Sequence, residues 1–285
     1  MTKLSLISKA KPVAIKAHVT PDYTPARVLC ATDLWGESDH ALKKSLWLAE
    51  ATDADLLLLH VVDGETPLRM TGRRVEHARG ALQWRVRRWP EFKSRPAISV
   101  RIGDPHRTIS RVAQQWRADL VVMGSTRPRL MDRFVPTTAE RVAAEARCAV
   151  LVANDSEPAA YRHATIVAES CCQAAALERI SQNLPIMHSS QRVHTSIHGV
   201  TASALRESPD CVIVEADRWP AINGLFRPSA ASILARVGTT DVLIAPPRRP
   251  GSSSTVECSS DSPPRPGCEL PPHGGRYALS TRAKP

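Results

Sequence analysis

The stretch Asp119-Leu-Val-Val-Met-Gly-Ser125 decides the fold of this chain. A short apolar run that ends in glycine and serine is typical of a buried strand. Helical patterns lie on both sides of it, near 105–117 and 137–147, and a second apolar run follows at Ala149–Ala153. A strand between two helices, with another strand next, predicts parallel strands joined by helical crossovers.

The same alternation extends back to residue 27. Strands are predicted at Val28–Thr32, Leu56–Val62, Ala97–Ile102, Leu120–Met123 and Ala149–Ala153. Helices are predicted near 38–51, 73–89, 105–117 and 137–147. This order indicates an α/β domain at 27–154, built as an open parallel five-stranded sheet with helices on both faces and right-handed crossovers.

Two of the predicted helices carry capping signals at their starts. Gly103-Asp104-Pro105 places a capping carboxylate before a proline that suits the first helical turn. Thr137 with Glu140 forms a capping-box pattern at the start of the last helix. We therefore expect well-defined helix starts after the third and fourth strands.

A weaker copy of the pattern follows the first domain. Asp119–Ser125 resembles Asp210-Cys-Val-Ile-Val-Glu-Ala216, and Phe134–Ala153 matches Phe226–Ala245 without a gap. The shared order of matched segments favours duplication, so we expect a shortened second copy at 161–247.

The expected parts of this copy are a strand at Ala164–Ala168, a helix at Ser170–Ser181, and strands at Pro185–His188 and Arg192–His198. The second helix is missing from the pattern. Only three residues separate the last two strands, which is too few for a parallel crossover. We therefore expect one of these two strands to be antiparallel or irregular.

The two ends of the chain differ in composition from the regions between them. Residues 1–26 are predicted to form a flexible basic arm, and 248–285 a disordered tail rich in Pro and Ser. No apolar run approaches the roughly 20 residues of a membrane span, and the N-terminus lacks a secretory apolar core. We therefore expect a cytoplasmic protein. The seven cysteines have no metal-binding spacing, so neither a metal site nor a disulfide framework is expected.

The formal charge of +10 is concentrated between Arg69 and Arg101. An apolar stripe at helical spacing runs through this region along Val75, Ala78, Leu82, Val86 and Trp89. The arginines that fall off the stripe are Arg73, Arg74, Arg85, Arg87 and Arg88. The pattern favours an amphipathic helix with a solvated basic face. Binding of nucleic acid or an anionic surface through 69–101 is the less favoured alternative.

The ends of strands one and four are the candidate ligand site, because open parallel sheets bind ligands where the strand order reverses. Strand one ends at Asp33 and strand four at Ser125. At these ends the sequence resembles the universal stress protein family. The segments that carry the likeness are Val28–Asp33, Leu58–Val62, Ile102–Pro105, and Asp119–Ser125 continuing through Ala139–Val142 to Ala149–Val152. The likeness covers 27–154 well and 161–247 weakly.

The resemblance implies an adenine nucleotide alpha hydrolase-like fold with strand order 3-2-1-4-5. It also implies pairing through the fifth strands, so we expect an intramolecular pseudo-dimer of the two units. A homodimer and an unidentified protein partner stay open. The nucleotide-binding residues that the resemblance suggests are Ala31, Thr32, Asp33, Val61, Met123, Gly124, Arg127, Arg129, Thr137, Thr138 and Ala139.

Family members that bind ATP carry the motif G-x2-G-x9-G-[S/T] after strand four. Here Gly124 keeps the first glycine, but Arg127, Thr137 and Thr138 occupy the other positions. The Cβ atoms of Arg127 and Thr137 hinder the close approach of backbone amides to phosphates. Three interpretations stay open: binding of ATP, binding of another anion or nucleotide through Arg127 or Arg129, and loss of nucleotide binding with the fold kept for protein contacts. In the second copy Glu215 replaces the first glycine, so we expect its site to be inactive.

No catalytic constellation emerges from the sequence. His40, His60, His77 and His106 are scattered over separate elements, and neither a P-loop nor a nucleophile elbow is present. His60 lies inside a predicted strand and is interpreted as a core or sheet residue rather than a base. We predict a non-enzymatic binding or regulatory module of the stress response, with weak ATP hydrolysis left open.

Overall fold

The computed structural model describes residues 25–34, 39–64, 68–93, 95–125, 137–154, 161, 163–168, 173–174, 177–178, 180, 189–194, 210–216 and 240–246. All of them belong to one compact unit, Met1–Arg248. The predicted tail at 248–285 lies outside the described residues, as does the predicted arm apart from residues 25 and 26.

The first half of the chain alternates strands and helices as the sequence predicts. Its strands are β1 (Arg27–Ala31), β2 (Asp55–Asp63), β3 (Ala97–Gly103), β4 (Leu120–Gly124) and β5 (Ala149–Ala153). Its helices are α1 (Asp39–Thr52), α2 (Leu68–Arg87), α3 (Pro105–Trp116) and α4 (Thr138–Glu145). The five strands are parallel, in the spatial order β3-β2-β1-β4-β5. The predicted α/β fold and the strand order 3-2-1-4-5 are confirmed.

Helices cover both faces of this sheet, because side chains of successive strand residues point to opposite faces. Leu29 and Leu59 belong to a buried cluster with residues of α3 and α4. Cys30 and Leu58 belong to a second cluster with residues of α1 and α2. None of the helices in the described ranges combines the length and apolarity that a bilayer span requires.

Both predicted helix caps are present. The Asp104 carboxylate accepts the backbone N–H of Arg107 at 3.0 Å. Thr137 Oγ1 accepts the N–H of Glu140 at 3.3 Å, and the Glu140 carboxylate accepts the N–H of Thr137 at 2.7 Å. These caps satisfy backbone donors that a helix start otherwise leaves unpaired. They hold the starts of α3 and α4 at the edge of the sheet where β3 and β4 end.

Four more strands extend the same sheet. They are β6 (His163–Ala168), β7 (Ser189–His194), β8 (Cys211–Glu215) and β9 (Asp241–Ala245). The full order is β3-β2-β1-β4-β5-β9-β8-β6-β7. Strands β6 to β9 are parallel to one another, and β9 pairs antiparallel with β5. The described residues between Gln173 and Ile180 are helical, within the predicted helix Ser170–Ser181.

The predicted three-residue break at 189–191 between two short strands is wrong. Strand β7 begins at Ser189 and includes the three residues that were predicted to separate them. It pairs in parallel with β6, from His163 opposite Ser189 to Ala168 opposite His194. A polar run such as Ser189-Ser-Gln191 has little strand signal of its own, and the ladder with β6 overrides it. Residues 185–188 and 195–198 lie outside the described ranges.

Gly103 at the end of β3 provides a test of local backbone geometry. Its φ is +147°, which side-chain-bearing residues rarely adopt, and an added Cβ would lie 2.9 Å from Thr108 Oγ1. We expect Gly103→Ala to lower the free energy of unfolding by about 1–3 kcal/mol in urea denaturation.

The controls for Gly103→Ala are Gly72→Ala and Gly80→Ala, both on exposed positions of α2 with no atom outside the helix within 4 Å of the new Cβ. Each control should raise stability by about 0.5–1 kcal/mol, because alanine favours the helix. A Gly103→Ala protein as stable as the controls would contradict this geometry.

Candidate ligand-binding site

A cavity of about 870 Å³ opens at the C-terminal ends of β1, β2 and β4. Strands β1 and β4 are neighbours in the sheet, and the chain order reverses between them. Open α/β sheets bind their ligands at such a reversal. The volume lies in the range of small-molecule sites, about 300–1,000 Å³.

The cavity brings together most of the residues that the sequence suggested for a nucleotide site. Those that line it are Ala31, Thr32, Asp33, Val61, Met123, Gly124 and Thr138. Thr137 instead caps α4, and Ala139 is 3% exposed within the core. Arg127 and Arg129 lie outside the described residues.

The end of β1 is held in place by three hydrogen bonds. The N–H of Thr32 donates to the Leu59 carbonyl at 3.0 Å. The Thr32 carbonyl lies 2.9 Å from His60 Nδ1, and because a carbonyl only accepts, Nδ1 must carry the proton. The N–H of Leu34 donates to Thr32 Oγ1 at 3.1 Å, within a turn that gives Leu34 a φ of +66°. This turn leaves Asp33 exposed at the cavity rim.

Helix α2 supplies a wall of the cavity that the sequence reasoning missed. The residues that form it are Arg74, His77, Ala78, Ala81 and Arg85. Their spacing of i, i+3, i+4, i+7 and i+11 is that of one helix face. The signal was present in the sequence as two alanines between basic residues, because small side chains leave room for a ligand. The wall shares Ala78 with the wider apolar stripe, which makes it hard to recognise in the sequence.

Arg85 corrects the prediction of a uniformly solvated basic face. Its Nη2 donates to the Leu34 carbonyl at 2.5 Å, and its side chain is half-buried. Arg73, Arg74, Arg87 and Arg88 are exposed, as predicted. Arg85 differs because its guanidinium contacts the turn after β1.

The lining combines charged and apolar groups. Carboxylates come from Asp33 and Asp63, guanidinium groups from Arg74 and Arg85, and an apolar surface from Met123 with its neighbours. Mostly apolar pockets with a few placed polar groups are typical of sites for small organic ligands. Among the described residues, no group of three or more His, Cys, Asp or Glu is placed to hold a metal ion.

Strand β8 ends differently from β4. Glu215 ends β8 where Gly124 ends β4. Its carboxylate accepts from Gln173 Nε2 at 2.8 Å. A carboxylate at this place would repel a phosphate group.

Comparisons with known proteins agree with this architecture. A universal stress protein from Archaeoglobus fulgidus DSM 4304 aligns with 79% of this chain and 97% of its own, at 12% identity and a TM-score of 0.60. A functionally unknown protein from Pseudomonas aeruginosa PAO1 aligns with 79% and 94%, at 12% identity and a TM-score of 0.54. A universal stress protein solved in complex with cAMP aligns with 47% and 99%, at 17% identity and a TM-score of 0.42.

At 12% identity, the two likenesses with TM-scores of 0.60 and 0.54 show the fold alone. No curated protein sequence matches the chain. The sequence model of the universal stress protein family matches residues 25–154, which contain the whole of β1 to β5. Residues 25–154 are therefore a universal stress protein domain.

Proposed function

We propose that this protein is a non-enzymatic regulatory module of the cytoplasmic stress response, and that its cavity binds a small anionic ligand of the adenine nucleotide class. The observation that carries the proposal is the cationic wall of α2, which faces the ends of β1, β2 and β4 across a cavity of about 870 Å³. Such a wall offers an anion the charge that the degenerate glycine motif no longer offers through backbone amides.

The two sides of the cavity suit the two parts of a nucleotide. Ala31, Val61 and Met123 present apolar surface to a base. Asp33, exposed at the rim, is an acceptor for an amino or hydroxyl group of the ligand. Arg74 and Arg85 lie on the facing helix and suit a phosphate, since guanidinium groups bind phosphate oxygens in pairs.

Binding without catalysis is supported by the arrangement of His60, which lies in β2 and lines the cavity. The Nδ1 proton of His60 is engaged by the Thr32 carbonyl at 2.9 Å. The ring therefore helps to hold the end of β1, as a structural residue of the sheet would. We propose no reaction at this site.

The test is ligand identification followed by a matched pair of variants. Purified protein is denatured, released nucleotides are identified by mass spectrometry, and the affinity of the identified nucleotide, or of ATP, ADP, AMP and cyclic AMP if none is released, is measured by calorimetry. We expect Arg85→Gln to weaken binding by about tenfold or more, because a charge-assisted bond contributes about 1.5–3 kcal/mol. Arg85→Lys, which keeps the charge, should bind with an affinity between those of the wild type and Arg85→Gln.

Arg87→Gln is the control, since Arg87 is exposed and lies two residues further along α2. It should bind as the wild type does. Absence of both released nucleotide and calorimetric binding would overturn the proposal. If an oligonucleotide binds instead and Arg87→Gln weakens it while Arg85→Gln does not, the basic outer face of α2 is the site. There Trp84 is 60% exposed and the Arg88 guanidinium lies 5.7 Å from its ring centre.

We further propose that 161–247 is a degenerate second universal stress protein unit that serves as the internal partner of the first. Strands β7, β6, β8 and β9 lie in the same relative order as β2, β1, β4 and β5. Corresponding turns also make the same bond: Ser125 N–H to the Ala153 carbonyl at 3.1 Å, and Ala216 N–H to the Ala245 carbonyl at 2.8 Å. With Glu215 at its strand end, this unit is proposed to bind no nucleotide.

A further inference from the structure

The junction between β5 and β9 contains a buried ion pair. Lys44 Nζ, on α1, lies 3.0 Å from Asp241 Oδ2, and the two side chains are 1% and 0% exposed. The Tyr161 hydroxyl donates to the same oxygen at 2.6 Å. The backbone N–H of Asn154 donates to Asp241 Oδ1 at 2.8 Å. The Lys44 ammonium also lies 4.6 Å from the centre of the Tyr161 ring.

The backbone around this pair is locally symmetric. Strands β5 and β9 are antiparallel, and Leu151 lies opposite Leu243. These two leucines occupy the same position in the gapless match of 134–153 with 226–245. The strands therefore meet about a local two-fold axis. A contact of this kind is self-complementary, so β5 of a second chain could take the place of β9 as far as the backbone is concerned.

The side chains break this symmetry. In the gapless match Asp241 corresponds to Ala149, and one position beyond its end Pro246 corresponds to Asn154. One side of the local axis thus has Asp241 next to Asn154, and the other has Ala149 next to Pro246. Proline has no N–H and needs no acceptor, so the absence of a carboxylate on the second side leaves no donor unpaired there.

A pairing of β5 with β5 of a second chain would lack the Asp241 carboxylate at both ends of the contact. Ala149 would lie next to Asn154 at both ends of the contact, and each Lys44 would lose the Asp241 carboxylate. An ammonium group that stays buried after losing its counter-charge is strongly destabilising. We infer that the Lys44–Asp241 pair selects β9 of the same chain as the partner of β5 and rejects β5 of a second copy. The inference rests on the proposal that 161–247 is a second unit.

The test compares self-association of the full chain in three variants by sedimentation equilibrium. Lys44→Met should raise the dimer association constant at least tenfold. It removes the stranded cation from a β5–β5 contact and leaves Asp241 buried without its cation in the internal one. Asp241→Ala should raise it less than Lys44→Met does, because a stranded ammonium then destabilises the internal arrangement and the β5–β5 contact alike. The double variant Lys44→Met/Asp241→Ala should associate as Asp241→Ala does, since neither contact then holds a stranded charge and only the covalent link favours the internal one.

Asp210→Ala is the control. Asp210 precedes β8 and Asp241 begins β9, but Asp210 is exposed whereas Asp241 is buried. Circular dichroism checks the fold. Lys44→Gln, which keeps a donor for Asp241, replaces Lys44→Met if that variant does not fold, and must shift association in the same direction. Equal association of Lys44→Met and Asp241→Ala, or no change with Lys44→Met, would overturn the inference.

Hydrogen exchange separates this failure from failure of the proposed second unit. In the wild type the amides of Val150–Val152 and Val242–Ile244 should be protected together. If they exchange independently, the internal partnership itself is wrong. If they are protected together and Lys44→Met leaves association unchanged, the partnership stands and only the selection by charge is wrong. A Lys44→Met dimer with an unprotected β5 would likewise overturn the selection.

Discussion

Replacing Asp241 with alanine is expected to lower the free energy of unfolding by about 3–5 kcal/mol, since removing one partner of a buried ion pair leaves the other uncompensated. The loss includes three interactions of one carboxylate: Lys44 Nζ at 3.0 Å, the Tyr161 hydroxyl at 2.6 Å and the Asn154 N–H at 2.8 Å. The Asn154 side chain additionally donates to the Thr240 carbonyl and should keep that bond. Urea denaturation followed by circular dichroism measures the change.

The matched control for this loss of stability is Asp210→Ala. It removes the same charge from an exposed site at the start of the neighbouring strand, and should change stability by no more than about 0.5 kcal/mol. Adding Lys44→Met to Asp241→Ala should recover a large part of the loss, because the double variant has no stranded charge. Equal losses in the Asp241→Ala and Asp210→Ala proteins would show that the buried pair contributes nothing.

Alkaline pH is expected to destabilise the native state, chiefly between pH 9 and 12. Burial raises the pKa of the Cys30 thiol from 9.0 to about 12, with a small opposing effect of its hydrogen bond with Ser45. Above pH 9 the unfolded chain loses this proton while the native state keeps it, so stability falls as pH rises. The full difference corresponds to roughly 4 kcal/mol, reached near pH 12.

Other buried groups act in the same direction. Burial, with a smaller contribution from Asp119, raises the pKa of Cys148 to about 11. Burial and the nearby Asp241 carboxylate hold the pKa of Tyr161 well above its usual range, which keeps its hydroxyl protonated as a donor. The measurement is the free energy of unfolding at pH 8 to 10.5 for the wild type and Cys30→Ala. The variant should show a shallower decline with pH, and parallel slopes would contradict the assignment to Cys30.

Local signals predicted the first domain well. The apolar run Asp119–Ser125 and the caps at Asp104 and Thr137 act over a few residues, and each appears in the structure where the sequence indicates it. The strand order followed from the resemblance to a family rather than from periodicity. Local signals failed at β7, because the polar residues of Ser189–His194 become a strand only through their ladder with β6.

The candidate site was predictable in part for a similar reason. Residues at the ends of β1 and β4 share the sheet edge on which parallel strands end, so Asp33 and Gly124 could be placed together from topology. The rotation of α2 about its own axis could not be predicted from topology. Whether Arg85 faces the turn after β1 or faces water depends on which side of the apolar stripe meets the sheet, and the stripe alone is compatible with both.

The amino-acid sequence by itself determined the alternation of strands and helices in the first domain and the starts of α3 and α4, because periodicity and capping act over short stretches of the chain. Only the tertiary structure decided that Lys44 meets Asp241 and that Arg85 lines the cavity. Nothing in the sequence indicates that a lysine on one amphipathic helix contacts an aspartate at the start of a distant strand. Burial makes them partners, since neither charge is stable in the core without an opposite one.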